Sequence, residues 1–454
     1  MIKIKIPPIL HKLHEIFSSA GYESYLVGGA VRDILMGKKP ADYDIATNAT
    51  PQQVIKLFNH VIPTGIKHGT VTVMFGNTGI EVTTYRTDNT YSDGRHPDTI
   101  NYAATIEQDL ARRDFTMNAI AADLKTGIIK DPFHGQKDIK NGIIRTVGSA
   151  IERFSEDGLR PVRAIRFATC LNFTIEKSTM DAISCTLETI KKVTVERFQD
   201  ELKKILVSPV PSKGLFLMEI TGITEIFIPE LLTCRNCLQN GFHSFDVLDH
   251  LYYTVDGAPA DNIIVRLASL FHDIGKPLVR GQKTSGEYTF YHHEKKSAEI
   301  CETILNRLRF PKEIITKVCE LIEYHMFFYE DNWTDAAVRR FLVRIGYNSN
   351  PVILDNLFLL RHADVYGMNR QIPSPDLLKN MQNRIKTILN QQNALSIKDL
   401  AINGKILIEN GIPSGKQMGI IMQELLETVL EDPSSNTKEK LLPVALNLYK
   451  KLSN

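Results

Sequence analysis

The chain has 454 residues, room for about three domains at ~150 residues each or for one long helical array. It is 43% hydrophobic and 23% charged, which excludes collagen-like, disulfide-scaffold and wholly disordered classes. Lys+Arg 54 against Asp+Glu 52 leaves a net charge of +2, so any nucleic-acid site must be a local patch. Six scattered cysteines fit a reducing compartment. The N-terminus alternates Lys and Ile before Pro7 and Pro8, unlike an export signal, and no apolar run approaches ~18 residues. A cytoplasmic location without membrane contact is expected.

In chain order, SYLV (24–27) is a short strand stopped by Gly28 and Gly29. ADYDIAT (41–47) is a second strand, with Asp42 and Asp44 on one face because strand side chains alternate. PQQVIKLF (51–58) opens a helix with Pro51 in its first turn. Residues 68–85 hold two β-rich runs around Gly76, Asn77, Thr78 and Gly79, a hairpin. Residues 86–98, rich in Asp with Gly94 and Pro97, read as a loop. After about residue 150, helical periodicity dominates, with breaks at Pro209–Pro211, Asp256–Pro259, Gly281–Gly286 and Ile372–Pro375. The expected fold is α+β: a mixed-sheet head (1–148), then a helical neck (149–210), body (211–375) and tail (376–454), elongated as a whole.

Chemistry concentrates first in the head. A strand that ends in Gly28-Gly29 and opens a helix lets backbone amides approach phosphate oxygens, and Arg32 in the first turn adds a charged donor. Asp42 and Asp44 on one strand face can hold Mg²⁺, which would bind a triphosphate and lower the pKa of an attacking hydroxyl. A lone Gly-Gly is usually a turn and a lone Asp-x-Asp a solvated edge. Their succession over LVGGAVRDILMGKKPADYDIAT is far more specific.

That segment resembles the signature of the class II tRNA nucleotidyltransferases, the CCA-adding enzymes, which share their polymerase-β-like catalytic domain with bacterial poly(A) polymerases. The resemblance continues at RRDFTMNAIA (112–121), DPFHGQKDIKNGIIRTVG (131–148), SEDGLRPVRAIRFA (155–168) and ERFQDELKKIL (196–206). It implies tRNA as the acceptor, CTP and ATP as substrates and Mg²⁺ as the cofactor. It also implies that Arg113 contacts the triphosphate and that Asp157 and Arg160 act as an amino-acid template for the incoming base. A carboxylate accepts from the exocyclic amino group of C or A and repels the carbonyl oxygen that U and G present there; a guanidinium donates to the neighbouring ring acceptor. Leu159, Val162, Ile165 and Ala168 recur every three residues and should pack inward. Arg160, Arg163 and Arg166 form a parallel row, either nucleotide contacts or a solvated basic face. Pro161 belongs in a first turn, so the helix should start near Leu159. Glu196, Arg197 and Glu201 read as a brace between head and neck or as an ordinary salt-bridged surface. Enzymes adding only A or only CC, and a poly(A) polymerase, are the rivals; the last fits less well because HGTVTV…EVTTYRTD is closer to the tRNA enzymes. In the family, a loop at 86–98 accompanies addition of the terminal A.

A second constellation lies in the body. His250, the adjacent pair His272-Asp273 in LASLFHDIGKP, and Asp364 in RHADVYG resemble an HD metal-dependent phosphohydrolase domain. Such residues can enclose a divalent ion that activates water, with His292 or His293 and His325 as further candidates and His243 competing with His250. A phosphohydrolase whose head only binds RNA is therefore the alternative of another class. Cys234 and Cys237 have no second pair at zinc spacing and read as partly buried thiols. Phe327, Phe328, Tyr329 and Trp333 read as packing. The tail turn Gly411–Lys416 offers amides and Lys416 to an RNA phosphate, or is a plain helix–helix turn.

Overall fold

The structure, a computed structural model, describes residues 2–88, 100–241, 243–327, 329, 332–376, 378–391 and 394–453. The chain divides into two units, Met1–Pro229 and Glu230–Asn454.

The first unit is built on a seven-stranded sheet. Its strands are β1 (Ser24–Val27), β2 (Asp44–Thr47), β3 (Val61–Gly65), β4 (Thr70–Phe75), β5 (Thr78–Thr84), β8 (Ala121–Asp123) and β9 (Ile129–Lys130), in the order β3-β4-β5-β2-β1-β8-β9; β6 (Arg86–Asp88) and β7 (Ile100–Tyr102) form a separate ladder. β2 and β5 run parallel and every other pairing in the sheet is antiparallel. Alternation assigns the two faces. Leu26, Ile45, Val71, Val73, Ile80 and Val82 face a core shared with Leu10, Leu13 and Phe17 of the helix Ile9–Ser19. Tyr25, Val27, Ala46 and Tyr85 face a second core with Ile106 and Leu110 of the helix Ile106–Ala111. Asp44, two residues from Ala46, lies on that second face.

The expected hairpin forms, with Gly76 at φ +56° in its two-residue turn. The helix Pro51–Leu57 starts on a capping box between Thr50 and Gln53. One expectation is corrected. The second strand begins at Asp44 rather than at residue 41, and Asp42 sits in the bend before it, exposed. Tyr43 already accepts a ladder bond from Glu81 N, but a bend at Ala41 and Asp42 turns the chain before regular pairing starts. The expected loop at 86–98 gives its first three residues to β6; residues 89–99 lie outside the described residues.

Among the described residues, helices follow from Ala150 onward, relieved by short 3-10 turns and two-residue ladders. The helix Leu159–Leu171 starts where Pro161 requires, and Leu159, Val162, Ile165 and Ala168 are all buried. In the second unit the expected breaks fall between helices, except that Gly281–Gly286 lies in a short hairpin. Trp333 packs on Tyr329 and Phe341, and Phe327 on Phe341 and Phe358; Phe328 is not among the described residues. Cys234 and Cys237 are both buried, Cys234 directing its thiol to the Ile274 carbonyl. No helix is long and apolar enough to cross a membrane among the described residues.

Candidate active site and a second candidate metal centre

In the first unit a cavity of about 370 Å³ gathers residues from widely separated stretches of chain. Asp44, Glu81, Arg113, Asp157, Arg160, Arg163 and Arg197 line it together with Arg86, Arg112 and Asp114. Six arginines against four acids give the lining an excess of positive charge, which suits a polyanionic ligand. A larger cavity of about 870 Å³ in the second unit has only Lys398 and Asp399 as charged lining residues.

The acidic end is set by the sheet. Parallel pairing puts Glu81 opposite Asp44, on the same face. Burial raises the Asp44 pKa to about 6, Arg113 opposes the rise, and Glu81 and Asp42 add to it. A half-buried carboxylate repelled by two others is a site where a divalent cation would relieve the electrostatic cost, and Mg²⁺ typically takes one or two carboxylates and completes its shell with water and phosphate. Gly28 borders the same space. Its φ of +70° ends β1, and an added Cβ would lie 3.0 Å from Arg113 Nη1 and 3.5 Å from Asp44 Oδ2. Sequence reasoning missed Glu81. The signal was present: it is the only charged residue between Gly69 and Tyr85.

The arginines are positioned by buried acids. Asp109, fully buried, takes Arg112 at 2.7 Å and Arg113 at 3.2 Å, which leaves Arg113 Nε buried without a hydrogen-bond partner. Asp114 accepts from Arg163 Nε at 2.8 Å and Nη2 at 2.6 Å, and from Asn118 Nδ2 at 3.2 Å. Burial alone would raise the Asp114 pKa, but Arg163 and Asn118 bring it down to about 2. Asn118 also accepts from Arg32 Nη1 at 2.9 Å, so one polar chain runs from the Gly28-Gly29 turn to the helix Leu159–Leu171. Arg32 otherwise pairs with Asp33, and neither it, Gly29 nor Asp42 lines the cavity.

Asp157, at the C-terminal cap of the helix Ala150–Glu156, is held by Arg197, Nη1 to Oδ1 at 3.1 Å and Nη2 to Oδ2 at 2.7 Å, and accepts from Leu159 N at 3.0 Å. Arg160 donates to Glu156, to Arg153 O at 3.0 Å and to Arg112 O at 3.2 Å. Those bonds use three of its five N–H groups. The arginine row is thus not a solvated face. Arg166 pairs with the buried Glu201 and stands outside the cavity lining. Arg197 reaches Asp157 and Glu201 reaches Arg166 of the helix Leu159–Leu171, while Glu196 is exposed.

The second unit brings His250, His272, Asp273 and Asp364 together. His250 Nε2 lies 3.2 Å from His272 Nε2, 3.4 Å from Asp273 Oδ2 and 3.3 Å from Asp364 Oδ1; His272 Nε2 lies 3.4 Å and 3.6 Å from the same two oxygens. Donors around one ion at about 2.1 Å stand roughly 3.0–3.4 Å apart, so the residues fit a single divalent metal. His272 Nδ1 donates to Ser269 O at 3.0 Å, which leaves Nε2 as the inward lone pair. His243 only stacks edge-on against His250, and burial lowers its pKa to about 4. His293 is buried beside Asp273, whereas His292 is exposed, which decides between them. Two glycines make the assembly possible. A Cβ at Gly367 would meet Thr254 Oγ1 at 2.0 Å and one at Gly257 would meet Tyr366 Cβ at 2.9 Å, so the helices Val247–Gly257 and Val352–Asn369, carrying His250 and Asp364, close tightly. The tail turn ends in Gly415, φ +151°, before the helix Lys416–Glu431, with Lys416 exposed.

Three family profiles match in colinear order: the poly A polymerase head domain over residues 24–145, the RNA- and SrmB-binding site of polymerase A over 172–234, and tRNA nucleotidyltransferase domain 2 over 288–445. The CCA-adding enzyme of Lactobacillus johnsonii is 33% identical over 439 residues, 95% of this chain and 94% of that one. That of Geobacillus kaustophilus is 48% identical over 203 residues, 45% of this chain and 50% of its own. The crystal structure of the Bacillus stearothermophilus CCA-adding enzyme in complex with CTP superimposes with a TM-score of 0.74 and 26% identity over 99% of both chains. With the arginine-rich cavity, the strand carboxylates and a full-length relative in agreement, the chain belongs to the CCA-adding enzyme family of tRNA nucleotidyltransferases.

Proposed function

We propose that this protein is a CTP/ATP:tRNA nucleotidyltransferase that adds C, C and A to the tRNA 3′ end without a nucleic-acid template. The observation that carries this is the placement of Asp44, Arg113 and the Arg197-held Asp157 around one cavity. Asp42 and Asp44 hold Mg²⁺, which supplies charge neutralisation for the triphosphate and lowers the pKa of the attacking hydroxyl. Glu81 backs them from β5. Arg113 faces the triphosphate across Gly28, with Gly29 and Arg32 at the turn. Asp157 keeps one lone pair, on Oδ2, for an exocyclic amino group, and Arg160 keeps two N–H groups for the adjacent ring acceptor, so C and A are accepted and U and G refused. Arg163 fixes Asp114 beneath the arginines, and Arg166 ties its helix to Glu201. The tail, with Lys416, contributes to holding tRNA, and such a substrate fits a cytoplasmic enzyme. The test is labelled CTP and ATP, singly and together, with tRNA lacking its terminal nucleotides. Two C residues from CTP alone and a terminal A only when both are present is the expected result; incorporation of A alone points to an A-adding enzyme, and of C alone to a CC-adding one.

A second activity is favoured by the His–Asp cluster. His250, His272, Asp273 and Asp364 hold a divalent metal that serves phosphoester hydrolysis. Metal-dependent release of phosphate or opening of a cyclic-phosphate RNA end, run beside the addition assay, tests it.

A further inference from the structure

Asp109 does not line the nucleotide cavity, yet it stands behind two arginines that do. It lies on the buried face of the helix Ile106–Ala111, its side chain 0% exposed. Arg112 and Arg113, three and four residues on, fold their guanidiniums back onto it. The two carboxylate oxygens are divided between them. Oδ1 accepts from Arg112 Nε at 3.0 Å and Nη2 at 2.7 Å, and from the backbone N–H of Arg86 at 3.4 Å. Oδ2 accepts from Arg113 Nη2 at 3.2 Å. Among the described residues that is the one ion pair Arg113 makes, and its Nε is buried without a hydrogen-bond partner.

Arg113 stands close to a second acid. Its Nη1 and Asp44 Oδ2 both border the point that a Gly28 Cβ would occupy, at 3.0 Å and 3.5 Å, and Gly28 has no side chain to part them. Arg113 is also the cation that opposes the rise in the Asp44 pKa, so its charge already acts on that carboxylate. A guanidinium released from Asp109 would turn to Asp44. There it would compete with a divalent ion for the same oxygens, since like charges repel at such short range.

We infer that Asp109 is a positioning residue for nucleotide addition: its Oδ2 holds Arg113 toward the triphosphate and off Asp44. This rests on the reading of the cavity as a nucleotide site, and adds to it the group that keeps a phosphate-binding cation and an ion-binding carboxylate from neutralising each other.

The test uses the full chain as parent and as Asp109→Asn, Arg113→Met and the double variant, each checked for folding by circular dichroism. In Asp109→Asn the amide keeps an oxygen for Arg112 and turns an NH₂ group, which cannot accept, toward Arg113. The first readout is binding of inorganic pyrophosphate in the presence of chelator, followed by calorimetry, which needs neither metal nor turnover. Asp109→Asn should weaken it about tenfold, the size expected for misplacing one charge-assisted contact. The second is the Mg²⁺ concentration for half-maximal addition of C. It should rise several-fold in Asp109→Asn and return to the parent value or below when Arg113→Met removes the stray cation. A merely structural role would lower kcat and leave the Mg²⁺ requirement where it was. Arg113→Met and the double variant should agree in both readouts, because Asp109 acts through Arg113. That comparison decides the question even where Asp109→Asn alone does not fold. Unchanged pyrophosphate affinity in folded Asp109→Asn, or a Mg²⁺ requirement that Arg113→Met fails to restore, overturns the assignment. A parent that binds pyrophosphate but adds no nucleotide overturns the nucleotidyltransferase reading instead, and the pyrophosphate readout still judges Asp109.

Discussion

Arg197 holds Asp157 by both carboxylate oxygens, at 3.1 Å and 2.7 Å, across forty residues of chain. A bidentate guanidinium fixes the plane of a carboxylate as well as its place. An amino-acid template for a base depends on that plane. Arg197→Lys keeps the charge but loses the fork, and should cut discrimination of CTP over UTP by about 5- to 150-fold, equivalent to about 1–3 kcal/mol. Single-nucleotide kcat/KM values measure it. Asp157→Ala alone and together with Arg197→Lys should give nearly the same loss, because both disable one device. Additive losses would separate the two residues.

Asp44 occupies the one position that is in the sheet, on the cavity and beside Glu81. Asp44→Ala should reduce addition of C and of A alike by at least about three orders of magnitude, ~4 kcal/mol of barrier. Filter binding should show tRNA affinity little changed. Near-normal addition by a folded variant would move the metal site elsewhere.

Acid stability of the first unit should depend on Asp114. Its folded pKa of about 2 lies below its ordinary value of 3.8, so the stabilisation is complete above about pH 4 and is lost as the pH falls toward 2. The difference corresponds to about 2 kcal/mol. Removing the partner with Arg163→Met should shift acid unfolding, followed by circular dichroism, to higher pH. An unchanged midpoint would mean that Asn118 and the backbone amide of Phe115 suffice to hold the charge.

Asp364 closes the cluster of His250, His272 and Asp273 from a helix remote in sequence. Asp364→Asn should abolish metal-dependent hydrolysis of a cyclic-phosphate RNA end and leave CCA addition within a few-fold of the parent. Loss of both activities in a folded variant would show that the two sites are coupled.

Much of the head was legible because its signals are local. The Gly28-Gly29 stop, the Gly76 hairpin and the three-residue row from Leu159 depend on neighbours within a turn or two. Asp42 was misplaced because alternation says which side a residue takes but not where pairing begins; that is set by the bend at Ala41 and Asp42 and the register of Asp44 with Glu81. Glu81 was hidden, and Arg197 was readable only as a brace or a surface ion pair, for the complementary reason. Each matters through a residue that only the folded topology brings near, Asp157 in one case and Asp44 in the other. His292 and His293 were inseparable in sequence, because one step along the chain at the start of the helix His293–Arg307 turns a side chain from solvent to core.

His250, His272, Asp273 and Asp364 of the second unit are drawn from the ends or interiors of three helices: Val247–Gly257, Ile263–Phe271 and Val352–Asn369. No unfolded chain presents them together, so an ion that occupies them binds the native state alone and acts as a fastener. At a free concentration 100 times its dissociation constant it would add about 2.7 kcal/mol to the stability of that unit. Heat resistance of the helical unit would then track the supply of a trace metal, and starvation for that metal would be felt as protein turnover as well as lost hydrolysis.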